Sequence, residues 1–266
     1  LGTWLDWQAQ GTRVSKNLYY NNDRDLMIEV THGPYIVDHN IFASAYNFDN
    51  LAQGGAYLHN LCCGFMRRHE VLDRSTPYHF AHTTQVAGTT LVYGGDDRFY
   101  QNIFVKDSQA KAPENMYGTA MYNGFLTSLR EFIDTVWETP GDVERFCQVK
   151  QPAYVDTNAY LNGALAFDRE EHPYVSDSNP NVQIEVDEEK RTWLTIDLDP
   201  AMFEMVTRIY ETGDLEMPRI AEAPFENPDG TPIVWNSDFT DRLREATPTV
   251  GPFEGLVAGK NRIRVW

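Results

Sequence analysis

Four short stretches of the chain repeat one arrangement of apolar and polar positions: VSKNLYYNN around Asn17, VDHNIFAS around Asn40, YLHNLCCG around Asn60 and FYQNIFVK around Asn102. Each has a hydrophobic residue, two others, asparagine, an aliphatic residue and then an aromatic ring or a cysteine. The asparagines are separated by 23, 20 and 42 residues, the last step being about double the others. The segment from Thr84 to Thr90 is therefore expected to supply a coil that lacks the signature. A period of this length, built from short β-rich segments, predicts an all-β chain folded as a right-handed parallel β-helix, in which each coil leaves an apolar inner face that only the next coil covers. Asparagines at one register would stack their amides in a ladder at a turn. Leucine-rich repeats have a similar period, but their LxxLxL pattern is missing.

The same register places the acidic residues. Asp6, in WLDW, precedes Asn17 by 11 residues, and Glu29, in IEVTHGP, precedes Asn40 by 11. Their flanks match as well: Leu5 with Ile28, Trp7 with Val30. Alternation along a strand puts those apolar partners on one face and the two acids on the other. Asp6 and Glu29 are thus predicted to project outward together, with Trp4 and Met27 sharing their side of the strand.

Two stacked carboxylates repel each other, a cost that a purely structural design avoids. Strands lie about 4.8 Å apart, and carboxyl groups about 5–5.5 Å apart suit a retaining glycoside hydrolase. A pair of solvated surface acids, or a cation site, is the plain alternative at this point.

Composition narrows the partners. The chain has 266 residues, 42% of them hydrophobic and 13% aromatic, enough for a sizeable core. Its formal net charge of -17 argues against nucleic acid and against an anionic membrane surface, both of which need clustered Lys and Arg. A neutral ligand suits it better. No apolar run approaches the roughly 18 to 20 residues of a transmembrane helix. Cys62, Cys63 and Cys147 are too few and too oddly spaced for a disulfide framework, which favours a reducing, cytoplasmic compartment. The chain starts without methionine or signal peptide and enters a strand-like pattern at Leu1, as the later part of a longer polypeptide would.

The segments WLDWQAQGTRV, EVTHGP, QGGAYLHNL, TPYHFAHTT and GGDDRFYQNIF resemble glycoside hydrolase family 120, the β-xylosidases built on a right-handed parallel β-helix. The resemblance runs through about the first 105 residues and is diffuse afterwards. It implies that Asp6 is the nucleophile and Glu29 the acid/base of a retaining exo-glycosidase releasing xylose from xylo-oligosaccharides, with no cofactor. Asp6 would attack the anomeric carbon while Glu29 protonates the leaving oxygen and later activates water. The family also carries active-site residues on earlier coils and an immunoglobulin-like domain, neither of which is located here. The rival readings are a polysaccharide lyase, which would favour a calcium cluster and a basic catalytic residue, and a non-catalytic carbohydrate-binding β-helix.

Further substrate contacts are expected from Trp4 as a sugar platform, with Trp7 read as core. His32 lies at a strand exit, where it either meets a sugar hydroxyl, tunes Glu29 or caps the coil. Asp49 nominally extends the acid column to a third coil. His79 and His82 would drape over the cleft; their spacing could hold a metal, but no third ligand is evident, so no metal is assigned. Arg98, after Asp96 and Asp97 in a turn-like GGDD, offers a sugar contact. His39 and His59, each before a ladder asparagine, are expected to stack as a surface column.

The division expected is residues 1–110 as coils carrying the catalytic pair and 111–266 as a helical insertion, further coils and C-terminal β elements. FLTSLREFIDTVWE places Phe125, Leu129, Phe132, Ile133 and Val136 on one helical face, stopped by Pro140-Gly141. VQIEVDEEKRTWLTIDL reads as a hairpin. Asp199-Pro200 starts a helix reaching Tyr210, and LVAGKNRIRVW closes the chain as a hairpin. Oligomer contacts or cleft walls are uses for this half, which carries no catalytic motif.

Overall fold

The computed structural model describes residues 1–106 and 111–266; the expected division at 110 and 111 lies at the edge of 107–110, outside the described residues. The chain advances in circuits. The first consists of β1 (Thr3–Leu5), β2 (Thr12–Ser15) and β3 (Leu18–Tyr19), and the second of β4 (Leu26–Glu29), β5 (Tyr35–Asp38) and β6 (Ile41–Phe42). The third is β7 (Tyr46–Leu51), β8 (Gly55–Leu58) and β9 (Leu61–Cys62), and β10 (Phe65–Arg68) opens a fourth. An antiparallel hairpin, β11 (Val71–His79) and β12 (Val86–Val92), then leaves the stack before β13 (Asp97–Tyr100) and β14 (Ile103–Val105) rejoin it. Helix α1 (Leu129–Glu138) precedes β15 (Ala153–Asp156), β16 (Ala159–Leu161) and β17 (Tyr174–Ser176). The chain ends in an antiparallel sheet of β18 (Gln183–Val186), β19 (Thr192–Leu198) and β20 (Gly259–Arg264).

Among the described residues the parallel strands form three separate sheets, in the orders β1-β4-β7-β10, β15-β13-β8-β5-β2 and β17-β16-β14-β9-β6-β3. This corrects the expected fold class, an all-β right-handed parallel β-helix with a helical insertion and C-terminal hairpins. Among the described residues, parallel pairing beyond isolated bridges is found in those three separate sheets, two further sheets are antiparallel, and much of 200–258 has no regular strand or helix. The asparagine spacing reports a recurring turn; it carries no information on how the strands between turns divide into sheets. Thr84–Thr90 is no hidden coil either, because β13 and β14 pair directly with β8 and β9, so the long step is one circuit enlarged by the β11–β12 hairpin.

Packing follows from the pairing. Apolar residues at matched positions turn inward and stack on one another: Tyr19 on Phe42 at 4.9 Å, Tyr57 on Phe99 at 4.4 Å and Phe104 on Tyr160 at 5.3 Å between ring centroids. Each of these is also a register pair. Stacking rings a strand apart adds to the burial of their area, about 0.5–1.5 kcal/mol for each pair.

The ladder has one more rung than the repeat revealed. The Asn17 backbone N and side-chain Nδ2 both donate to Asn40 Oδ1, and the same double contact joins Asn40 to Asn60, Asn60 to Asn102, and Asn102 to Asn158. Asn158 in turn donates to the Glu170 carboxylate. The residue before each rung (Lys16, His39, His59, Gln101 and Thr157) has φ between 54° and 59°. A left-handed non-glycine residue costs roughly 1–2 kcal/mol. The ladder offsets that cost by holding the corner: Asn17, Asn40, Asn102 and Asn158 also donate to the carbonyl two residues back.

Elsewhere the later half departs from expectation. α1 forms on the Ser128 N-cap, whose hydroxyl accepts from Glu131 N, but no residue of the helix is buried, and Phe125 packs in the core ahead of it. The helix expected from Asp199 to Tyr210 is a single turn, Pro200–Glu204, capped by the Asp199 carboxylate on Ala201 N. The hairpin over 183–198 forms, while the final segment contributes one strand to β19 rather than a hairpin of its own.

Asp97 lies inside the stack, fully buried, accepting from Tyr122 Oη at 2.6 Å and Gly55 N at 2.9 Å. Burial pushes its pKa up to about 7. Between roughly pH 4 and that value the unfolded chain has released this proton and the native chain has not, so stability falls as pH rises through the window. The shift corresponds to an amount on the order of 4 kcal/mol. Burial lowers the pKa of His32, His39 and His59, and their contribution has the opposite sign in acid. Asp97→Asn is therefore expected to gain stability relative to the parent as pH is raised from 5 to 8 in urea unfolding. A constant difference between the two proteins across that range would contradict this.

Candidate functional site

β1 pairs with β4 in the register Trp4–Met27 and Leu5–Ile28, so Asp6 and Glu29 follow as the next pair, and the chains stay joined beyond them by Gln8 N donating to Val30 O at 3.2 Å. Leu26 and Ile28 point inward and are buried, whereas Met27 and Glu29 are only half-buried on the outer side. Asp6 is exposed, and its Oδ1 accepts from Trp7 N at 2.7 Å. Trp4 presents its indole on the same side, donating from Nε1 to Glu29 Oε2 at 3.1 Å. The second glutamate oxygen, Oε1, accepts from Arg74 Nη2 at 2.9 Å. A guanidinium at this point offsets the repulsion between stacked carboxylates.

Arg74 belongs to β11, and sequence reading did not single it out because the hairpin interrupts the repeat. Its placement depends on His32. That ring is buried, with Nε2 2.9 Å from Thr76 O on β11 and Nδ1 2.7 Å from Gln53 Nε2. Gln53 also bonds Leu91 O and Tyr93 N at the other end of the hairpin. His32 thus ties the hairpin to the stack rather than facing open solvent.

Asp49 does not continue the acid column. β4 pairs with β7 so that Glu29 meets Leu51, and Asp49 stands two residues earlier, opposite Met27. The register changes because the link from β7 to β8 is two residues shorter than that from β4 to β5. Asp49 pairs with Arg24 at 3.0 Å and has His69 at 3.3 Å.

His79 and His82 stand away from the acid pair, in the wall of a cleft of about 1290 Å³. Trp7 lines the same cleft and is 54% exposed, which corrects its reading as a core residue; the chain leaves the strand at Asp6 and turns the ring outward. Gln10 holds the hairpin tip there, exchanging two hydrogen bonds with the His79 backbone. His82 Nε2 lies 2.7 Å from Glu226 Oε1 on the facing wall.

Arg98 is placed elsewhere. It is fully buried, bonded to the Asp96 carboxylate at 2.8 Å and to Leu215 O at 2.7 Å, with its guanidinium over the Tyr154 ring. It locks the later segment onto the stack and reaches no open surface. His39 and His59 do stack, 5.2 Å apart, but beneath that same segment and buried instead of at the surface. Among the described residues no group of three His, Cys, Asp or Glu side chains could hold a metal ion, and no helix is long and apolar enough to cross a membrane.

No protein-family model and no curated protein sequence matches the chain. Among solved structures, one described as the complex of XylC with xylose superposes with a TM-score of 0.93 at 47% sequence identity. The match covers 99% of this chain and 41% of XylC, so the chain is similar to XylC over nearly its whole extent while spanning about two fifths of that protein's length.

Proposed function

We propose that this chain carries the reacting carboxylates of a retaining, exo-acting β-xylosidase of glycoside hydrolase family 120, which releases xylose from xylo-oligosaccharides. The observation that carries the reading is the β1–β4 register, in which Asp6 and Glu29 follow the last paired residues Leu5 and Ile28. Side chains matched across neighbouring strands stand about 5 Å apart, the separation used in double displacement. The likeness to a protein solved with xylose supports the choice of sugar.

In this reading Asp6 attacks the anomeric carbon, held for that by the Trp7 N–H on its other oxygen. Glu29 gives its proton to the departing oxygen and then takes one from water as the glycosyl-enzyme is hydrolysed. Trp4, 53% exposed, offers its ring to the sugar while its indole N–H fixes Glu29. Arg74 positions the same carboxyl from the hairpin.

The test is stereochemical. Proton NMR of the first xylose released from an aryl β-xyloside by the protein in its natural full length is expected to show the β-anomer before mutarotation. The α-anomer appearing first would rule out double displacement.

A further inference from the structure

We propose that the cleft beginning at Trp7 is the binding site for the leaving-group side of a xylo-oligosaccharide, so that several sugar units beyond the scissile bond are held along it; this rests on Asp6 and Glu29 being the reacting pair. Three observations converge on it. The first is position. The cleft starts at the residue after Asp6, and the β11 strand that gives Arg74 to Glu29 ends in the tip, His79 to Thr84, that walls the cleft. At about 3.3 Å per residue, the five steps from Arg74 to His79 carry that wall roughly 17 Å from the acid pair. A general acid protonates the leaving oxygen, so the leaving chain extends from Glu29, and the hairpin is the structure that leads away from Glu29.

The second is size. A volume of about 1290 Å³ exceeds the roughly 300–1,000 Å³ of a typical small-molecule pocket and leaves room for more than one ring. The third is lining chemistry. Trp7 and Phe80 are 54% and 53% exposed, two broad apolar faces of the kind that meet the C–H face of a sugar. Around them stand Gln8 and Asn227, amides that can both donate and accept with hydroxyls. The charges at the cleft are matched: Arg13 is paired with Asp38, and His82 bonds Glu226. A neutral chain therefore fits it better than a uronic acid.

The experiment compares two substrates. kcat/KM is measured for an aryl β-xyloside and for xylotetraose in the full-length protein and in its Phe80→Ala variant. The ratio of xylotetraose to aryl xyloside activity is expected to fall about tenfold in Phe80→Ala, the loss expected for one ring contact. Equal changes on both substrates would overturn the proposal. Calorimetry of xylotetraose binding to Asp6→Ala, with and without Phe80→Ala, gives a readout independent of turnover. Weakening of about tenfold supports the cleft, and unchanged affinity sinks it. If the parent hydrolyses neither substrate, the acid-pair reading falls, while the calorimetric comparison still decides whether the cleft takes the oligosaccharide.

Discussion

Asp6→Ala is expected to lower kcat/KM on an aryl β-xyloside by on the order of 10⁴-fold or more, the scale seen when a nucleophile is removed. The loss should be chemical, not structural. Asp6 is exposed, lies past the end of β1, and bonds only the backbone N of its neighbour, so its removal leaves the strand pairing intact. Unfolding transitions of parent and variant are accordingly expected to coincide. Azide should restore turnover to Asp6→Ala and yield the α-azide, because a small anion can enter from the face the carboxylate vacated. In Glu29→Ala the departing group becomes decisive: activated aryl xylosides should keep far more activity than xylobiose, whose leaving oxygen needs the proton. Full activity in Asp6→Ala would end the proposal.

The largest effect on stability is expected at the middle of the ladder. Asn60 is fully buried; its side chain donates to Val37 O at 2.8 Å and to Asn102 Oδ1 at 2.9 Å, and accepts from both nitrogens of Asn40. Alanine would strip Val37 O and the Asn40 backbone N of their amide partner in the interior, while Asn40 Nδ2 would keep Val14 O and Asp38 O. At about 1–3 kcal/mol for each buried polar group left unpaired, Asn60→Ala should lose roughly 4 kcal/mol or more in urea unfolding. It would also release the Asn40 backbone N, next to the left-handed His39. Asn17→Ala removes fewer bonds at an exposed rung and should cost about 1 kcal/mol. Similar losses at the two positions would mean that the amide stack contributes little beyond its surroundings.

The ladder and the β1–β4 register were legible in the sequence for one physical reason. The first two circuits are the same length in all three sheets, so one 23-residue step fixes every register between them. Legibility fails wherever a link changes length. Two residues lost after β7 took Asp49 out of the acid column, and 22 residues of hairpin between β10 and β13 imitated a silent coil. Asn158 went unseen because α1 and its flanks intervene, making its step 56 residues. Arg74 and Phe80 were missed because the hairpin carries no repeat. The α1 pattern put Phe125 on a helical face, but the helix starts at Leu129 and buries none of its residues, while Phe125 packs in the core ahead of it. Arg98 and the His39–His59 stack were read as accessible because the segment that buries them, beyond residue 200, has almost no regular structure from which to predict its path.

The amide stack also has a direction. Every rung donates toward the following circuit, each rung after Asn17 accepts from the preceding one, and the last donors meet a carboxylate on Glu170. A single side chain turned end over end would set oxygen against oxygen on one side and nitrogen against nitrogen on the other. The orientation of each amide is therefore a collective property, a vector written once for the whole column, and an acceptor such as Glu170 is what allows it to stop.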